Sequence, residues 1–130
     1  MENKNDNIKN FIEKLIEKTS KNEILWKYLD TNETLCKVTN LKPLLFVFDV
    51  NNSFYTSVET GFIIIYKSLP TSNEKKPLSL QLNLYLVPSS YRDYKYIPND
   101  TYGEDIVRLH TIIRSKFPST DDIMKEILGF

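Results

Sequence analysis

The sequence is short of the residues on which most recognisable protein chemistries depend. Cys36 is the only cysteine in 130 residues, so no disulfide can close within the chain and no zinc site of several thiolates can be built. His110 is the only histidine, and no His-rich metal motif exists. The three glycines, Gly61, Gly103 and Gly129, are too scattered for a P-loop or a dinucleotide fingerprint, which gather backbone N–H groups with closely spaced glycines. A G-x-S-x-G elbow is missing as well. No apolar run approaches the ~20 residues that span a bilayer. The opening stretch, Met1 to Asn10, is polar and lacks the apolar centre of a signal peptide. These absences predict a cytoplasmic protein with no metal, no cofactor and no membrane contact. Net charge is also missing: 17 basic residues balance 17 acidic ones, which argues against non-specific nucleic-acid binding through many uncompensated phosphate contacts.

What is present suffices for a core. Hydrophobic residues make up 41% of the chain, and its length fits one domain spanning residues 1–130, with no repeat, linker or low-complexity tract to divide it. Ile8, Phe11, Ile12, Leu15 and Ile16 follow the i, i+3, i+4, i+7, i+8 spacing of one helical face, which predicts a helix from Asp6 to Thr19 that stops at Ser20 to Asn22. Lys9, Glu13, Lys14 and Glu17 form its solvated face. Asp30 to Pro43 carries turn residues and no period. Leu44 to Val50 reads as a strand buried on both faces.

The centre is the clearest part. Phe54 to Val58 and Phe62 to Ser68 flank Glu59-Thr60-Gly61, a hairpin in which Gly61 can supply a positive φ. After a charged loop at Asn73 to Pro77, Leu78, Leu80, Leu82, Leu84 and Leu86 alternate with more polar residues, which predicts a half-buried strand with one leucine face. Pro88 ends it. Thr101 with Glu104 forms a capping pattern that opens a helix lined by Ile106, Leu109, Ile113 and Phe117 and stopped by Pro118. Ser119 with Asp122 repeats the pattern before a last helix, Thr120 to Leu128, with Gly129 at the C-terminal cap. The fold class is therefore α+β: an antiparallel β-meander of three or more strands, with an N-terminal helix and two C-terminal helices packed on one face. A parallel sheet is disfavoured because the central strands lack helical crossovers. Tyr55, Ser57, Ile63, Ile65 and Tyr85 form an outward row. If left uncovered, this row predicts a homo-oligomer or a bound partner.

Few residues carry chemistry. His110 falls inside the apolar stripe of its helix and reads first as structural, because a catalytic base needs a positioned partner and access to substrate. A Cys36–His110 pair has no local support. The acid pairs Glu104-Asp105 and Asp121-Asp122 lie in first helical turns, where the helix dipole favours them. The more suggestive segment is the polar, Tyr-rich loop holding Ser89, Ser90, Tyr91, Arg92, Tyr94 and Tyr96. Arg92 can clamp a carboxylate or phosphate and the rings can add contact area. The plainer reading is a solvated loop anchored to the sheet by its tyrosines. Arg108, Arg114 and Lys116 follow on the next helix, with acids nearby to offset them.

The order of elements resembles a known group. Phe11-Ile12-Glu13-Lys14-Leu15-Ile16-Glu17-Lys18-Thr19, Trp26-Lys27-Tyr28-Leu29, Asn52-Ser53-Phe54-Tyr55, Leu84-Tyr85-Leu86-Val87-Pro88-Ser89, Arg108-Leu109 and Phe117-Pro118 are similar to segments of small uncharacterised proteins of low-GC Gram-positive bacteria and their phages and mobile elements. The resemblance carries no catalytic residue. It implies an accessory protein, in the host cytosol if phage-encoded, that inhibits or evades host defence by binding. The expected function is thus a non-enzymatic binding protein that captures a host defence protein or its nucleotide-like signal, with a protein or a small anionic ligand as partner. An immunity or antitoxin-like protein is the alternative among binders. A small enzyme using His110 or the Tyr91–Arg92 loop is the alternative of another class.

Overall fold

In the computed structural model, which describes residues 4–36, 48–69 and 76–129, the first helix, α1 (Lys4–Ser20), turns the predicted face inward. Ile12 and Leu15 are buried, and Ile8, Phe11 and Ile16 pack beside them. The helix ends where the sequence places its stop. Asn22 adopts φ 61°, its N–H donates to the Thr19 carbonyl at 3.0 Å, and the Glu23 N–H reaches the Lys18 carbonyl at 2.8 Å. This is the left-handed cap that satisfies the last carbonyls of a helix, with asparagine in place of glycine. Trp26 closes the corner, donating from Nε1 to Thr19 Oγ1 at 3.0 Å in a buried bond.

Five antiparallel strands follow one another across the sheet in chain order. They are β1 (Lys27–Tyr28), β2 (Phe54–Val58), β3 (Gly61–Lys67), β4 (Leu82–Pro88) and β5 (Lys95–Ile97). The remaining elements are a 3-10 turn at Leu29–Thr31, α2 (Glu33–Cys36), a 3-10 turn at Val50–Asn52, α3 (Leu78–Gln81), α4 (Asn99–Arg114) and α5 (Thr120–Leu128). The predicted α+β meander is therefore present, but the sheet does not end at Pro88: inside the expected Ser89 to Asp100 connection, Lys95 to Ile97 turn back and pair with Leu84 to Leu86. Residues 44–47 of the expected strand Leu44 to Val50 and residues 73–75 of the expected charged loop lie outside the described residues, as does the side chain of Cys36. Of that strand, Phe48 makes an isolated bridge to Ser68 and Val50 enters a 3-10 turn.

Register decides what each face holds. Phe54, Ile65, Leu84 and Ile97 stand in one row across β2 to β5, and all four are buried. This face meets α1 and α4 through Ile12, Leu15, Ile106, Leu109 and Ile113. Ile63 pairs with Thr56 and Ile65 with Phe54, so both isoleucines belong to this face and not to the outward row expected for them. Side chains alternate along a strand. On β3 the opposite row is therefore Phe62, Ile64 and Tyr66.

That opposite face is not open over its centre. Leu29, Leu35 and Phe48 cluster with Tyr55, Ile64, Tyr66 and Val87, and Ile64 is fully buried. The segment left without a reading by sequence thus supplies a second, thinner layer through α2 and its preceding turn. Of the row that predicted a homo-oligomer, Tyr55 is covered by the chain itself, Ile63 and Ile65 lie on the other face, Tyr85 is half-buried and Ser57 is exposed.

Four further expectations are corrected. Leu78 and Leu80 are not part of β4. Pro77, at φ −63°, caps α3, the Leu80 N–H bonds to the Pro77 carbonyl at 2.9 Å, and both leucines are exposed. A proline-set turn thus overrides the alternating pattern. Only Gly129 among the glycines has positive φ, at 81°. Gly61 is required instead because a Cβ there would run into the Val87 carbonyl oxygen and come within 2.9 Å of Pro88 Cα. The helix expected to open at a Thr101–Glu104 box begins at Asn99 after Pro98, with non-helical backbone at Tyr102 (φ −113°, ψ 15°). Asn99 Nδ2 donates to the Leu80 and Leu82 carbonyls at 3.3 and 3.0 Å, which ties the helix start to the start of β4 in place of a side-chain cap. It ends at Arg114, and i→i+3 bonds carry the chain to Phe117, which packs on Tyr28 and Phe54 with centroids 4.7 and 4.8 Å apart. Finally, α5 has the expected capping box at Ser119 and Asp122, but none of its residues is buried. Only one of the two C-terminal helices packs on the sheet.

Candidate functional site

The loop between β4 and β5 is held at several points. Its Ser89 N–H bonds to the Thr60 carbonyl at 2.9 Å, and its Tyr91 N–H to the Pro88 carbonyl at 2.8 Å. Tyr91 takes φ 60° and Asp93 φ 56°, a left-handed conformation that is uncommon for residues other than glycine and an outlier for one as bulky as tyrosine. The contacts that hold it are visible. The Tyr91 ring stacks on Phe62 with centroids 5.8 Å apart and planes at 22°, and Tyr94 leans on Tyr85 at 5.8 Å. Both tyrosines pack against the buried cluster of the second face.

Arg92 lies between these two left-handed residues and is exposed. Its backbone N–H reaches Ser90 Oγ at 3.3 Å, and its guanidinium makes no hydrogen bond or ion pair among the described residues. Ser89 and Ser90 are exposed beside it. Arg108 contrasts with it. That guanidinium is held by Glu13 at 2.8 Å and Asp105 at 3.3 Å, so its charge joins α1 to α4 and is spent. The same bond from Arg108 pulls the Glu13 carboxyl below its ordinary pKa.

Beside the loop runs a tyrosine surface. Tyr85 and Tyr96 stand opposite each other on β4 and β5 with centroids 5.0 Å apart, and Tyr66 stacks on Tyr85 at 5.9 Å. Burial raises the Tyr66 phenol well above its ordinary pKa, and raises Tyr85 in the same direction. The cluster grades outward, from buried Tyr66 through half-buried Tyr85 to Tyr96, which is 38% exposed. The sequence reading found Tyr91, Tyr94 and Tyr96 and missed Tyr66 and Phe62. The signal for these was strand parity, because Phe62, Ile64 and Tyr66 share a face only once the turn at Glu59–Thr60 fixes the register. Next to the loop, Phe11, Phe62, Leu86, Pro88, Asp93 and Lys95 line an open, mostly apolar groove of about 440 Å³.

His110 is placed apart from this surface. It is 6% exposed, its ring lies 5.8 Å from Phe54, and Nε2 is 2.9 Å from the Asn52 carbonyl oxygen. A carbonyl only accepts, so Nε2 carries the proton and Nδ1 is left as the acceptor. Burial pushes the ring below its ordinary pKa, and it is neutral at pH 7. Of the charges that act on it, Lys67 and Arg114 lower its pKa further and Asp49 raises it. Among the described residues no carboxylate bonds the ring to orient it. His110, Thr111, Arg114, Ser115, Phe117, Ser119 and Asp122 border a shallow cleft of about 460 Å³, in which Asp122 is engaged in capping α5. Among the described residues no three His, Cys, Asp or Glu side chains converge as a metal ion would require, and no helix is long and apolar enough to cross a membrane.

No protein-family model, curated protein or solved structure matches this chain.

Proposed function

We propose that the chain is a non-enzymatic binding protein that engages a protein partner through the Arg92 loop and the tyrosine surface beside it. One observation carries the reading: a guanidinium with no partner among the described residues is held out between two left-handed residues, Tyr91, which packs on Phe62, and Asp93, which Tyr94 follows and anchors on Tyr85. Such a loop gives up little conformational freedom on binding, and an arginine among tyrosines is the composition that protein interfaces favour. The anionic group facing Arg92 is then a carboxylate or phosphate of the partner. The groove beside the loop is open and mostly apolar, with one acid and one base in its lining, which suits a protein surface better than a free nucleotide. An inhibitor that captures a host defence protein is the form this role takes if the resemblance to phage and mobile-element proteins holds. The enzymatic reading has less support, because His110 spends one ring nitrogen on Asn52 and is buried without an orienting carboxylate.

The test is affinity capture from a host lysate followed by quantitative mass spectrometry and titration of the retained partner. Wild type and His110→Gln should retain the same protein. Arg92→Ala should bind it about 10- to 150-fold more weakly, the equivalent of about 1.5–3 kcal/mol for a charge-assisted hydrogen bond. If Arg92→Ala binds normally while His110→Gln stays folded and loses function, the site is misassigned and the enzymatic reading leads. If only a nucleotide is retained, the partner class is wrong.

A further inference from the structure

The outward row of the sheet gives no reason for self-association, yet the molecule exposes apolar side chains elsewhere, in two places along one edge. The first is α5. Ile123, Met124, Ile127 and Leu128 are all more than half exposed, and Ile127 reaches 80%. At 100° per residue these four form one stripe, with Asp121 at its border, Lys125 and Glu126 each about 60° outside an edge, and Asp122 behind. The helix is well formed, with a capping box at its start and a left-handed Gly129 at its end, so the stripe is held in place and does not belong to a frayed tail. The second place is the outer edge of β2, beyond β1. There Leu25 is 72% exposed and Val58 44% exposed. Leu25 is fixed alongside β2 by a 2.7 Å bond from Thr56 Oγ1 to its carbonyl. Glu23, Leu25, Lys27, Thr56 and Val58 border a groove of about 360 Å³, and Lys27 has no ion pair among the described residues.

The two places lie at opposite ends of the same edge. Phe117, just before α5, packs on Tyr28 and Phe54, whereas Leu25 and Val58 lie toward the hairpin end of β2. β1 pairs with Phe54 and Tyr55, so the open part of the edge runs from Thr56 to Val58, about 7 Å at ~3.3 Å per residue, close to the rise of about 7.5 Å from Ile123 to Leu128 at 1.5 Å per residue. We propose that the protein forms a symmetric dimer in which α5 of each copy lies in the Leu25–Val58 groove of the other. A two-fold axis across the edge satisfies both apolar places at once, as an isologous interface must. Six exposed apolar side chains per copy, at roughly 100 Å² each, bury on the order of 1,200 Å² over the pair, which reaches the lower end of stable interfaces. Charge agrees with exchange and opposes simple pairing of α5 with α5. With three acids and one base on each copy of α5, two such helices repel, whereas the groove, lined by Glu23 as well as Lys27, is neutral. Membrane docking is disfavoured for the same reason, because the helix carries three acids and one base. The dimer leaves β5, at the other edge of the sheet, free, while Val58 also lines the groove that reaches Asp93 and Lys95 beside the Arg92 loop.

Sedimentation velocity across about 1–300 μM tests this. Wild type should convert reversibly from monomer to dimer. Leu25→Glu and Ile127→Glu, both at exposed positions, should each weaken the dimer at least tenfold while leaving the urea unfolding midpoint unchanged. Mixing the two variants restores one intact half of the interface, so the mixture should associate more than either variant alone. A wild type that is monomeric at the highest concentration overturns the proposal. So does a dimer that Ile127→Glu breaks and Leu25→Glu does not, because that pattern means α5 pairs with α5.

Discussion

Ile64→Ala reports whether the second layer of the sheet is real. Ile64 sits at the middle of β3 on the face away from α1 and α4, fully buried in a cluster with Leu29, Leu35 and Phe48. Truncation to alanine removes three carbons. At about 0.8 kcal/mol per buried methylene the lost transfer term is about 2.4 kcal/mol. A residual cavity of ~60 Å³ at ~24 cal/mol per Å³ adds about 1.5 kcal/mol. The expected loss is therefore about 4 kcal/mol, enough to lower the urea midpoint by about 2 M at an ordinary m-value. Ile127→Ala makes the same chemical change at a position 80% exposed on α5 and should move stability by less than about 0.5 kcal/mol. Both are measured by far-UV circular dichroism at about 1 μM protein, where association is weak. An Ile64→Ala loss below about 1 kcal/mol would refute the reasoning. It would mean that the short elements around Leu29 and Leu35 do not close over the sheet and that the tyrosine face is open along its length.

Three further outcomes are expected. Gly61→Ala should destabilise by more than ~1 kcal/mol and shift the amide resonances of Val87 and Pro88's neighbours, since the added methyl meets β4 backbone and not a movable side chain; an unchanged midpoint would mean the strands stand further apart than described. His110 has a pKa below its unfolded value, so the unfolded state takes up the proton first and stability should fall as pH drops through about 6.5 toward 5. His110→Gln should flatten that window, and a pH slope between 7 and 5 that survives the substitution would assign it to other groups. Ser119→Ala removes the α5 cap and should cost about 1 kcal/mol locally, seen as faster hydrogen exchange in α5 with no change in global unfolding, because no residue of that helix is buried.

Local signals were legible and non-local ones were not. The inward face of α1, its stop at Asn22, and the Ser119 box with Gly129 are all set by neighbours within a turn or two, and each is where the sequence places it. The β2–β3 hairpin and the order of the strands follow from short connections. The leucine alternation extended too far because period two says nothing about where a strand starts, and Pro77 begins a turn inside the pattern. Ile63 and Ile65 went to the wrong face because a one-residue choice of register inverts every side chain. The role of Asp30 to Cys36 could not be read because its value lies in covering residues on β2 to β4 that are remote in sequence. In the candidate site, Arg92 and its tyrosines were visible as residue types. That Arg108 is paired and Arg92 is not depends on where Glu13 falls across two helices, which no spacing along the chain encodes.

A sheet covered on both faces also places its chromophores in two compartments. Trp26, the only tryptophan, is buried on the side of α1 and bonded to Thr19, so its emission follows the docking of that helix. Tyr66 and Tyr85 belong to the other face, and burial delays their ionisation beyond that of ordinary phenols. In alkaline solution the late-ionising phenols should therefore track the thin layer built from Leu29, Leu35 and Phe48, while indole fluorescence tracks the thick one. Coincident unfolding curves from the two signals would show one cooperative unit, and an earlier phenolic transition would show the thin layer opening while the helical side stays closed.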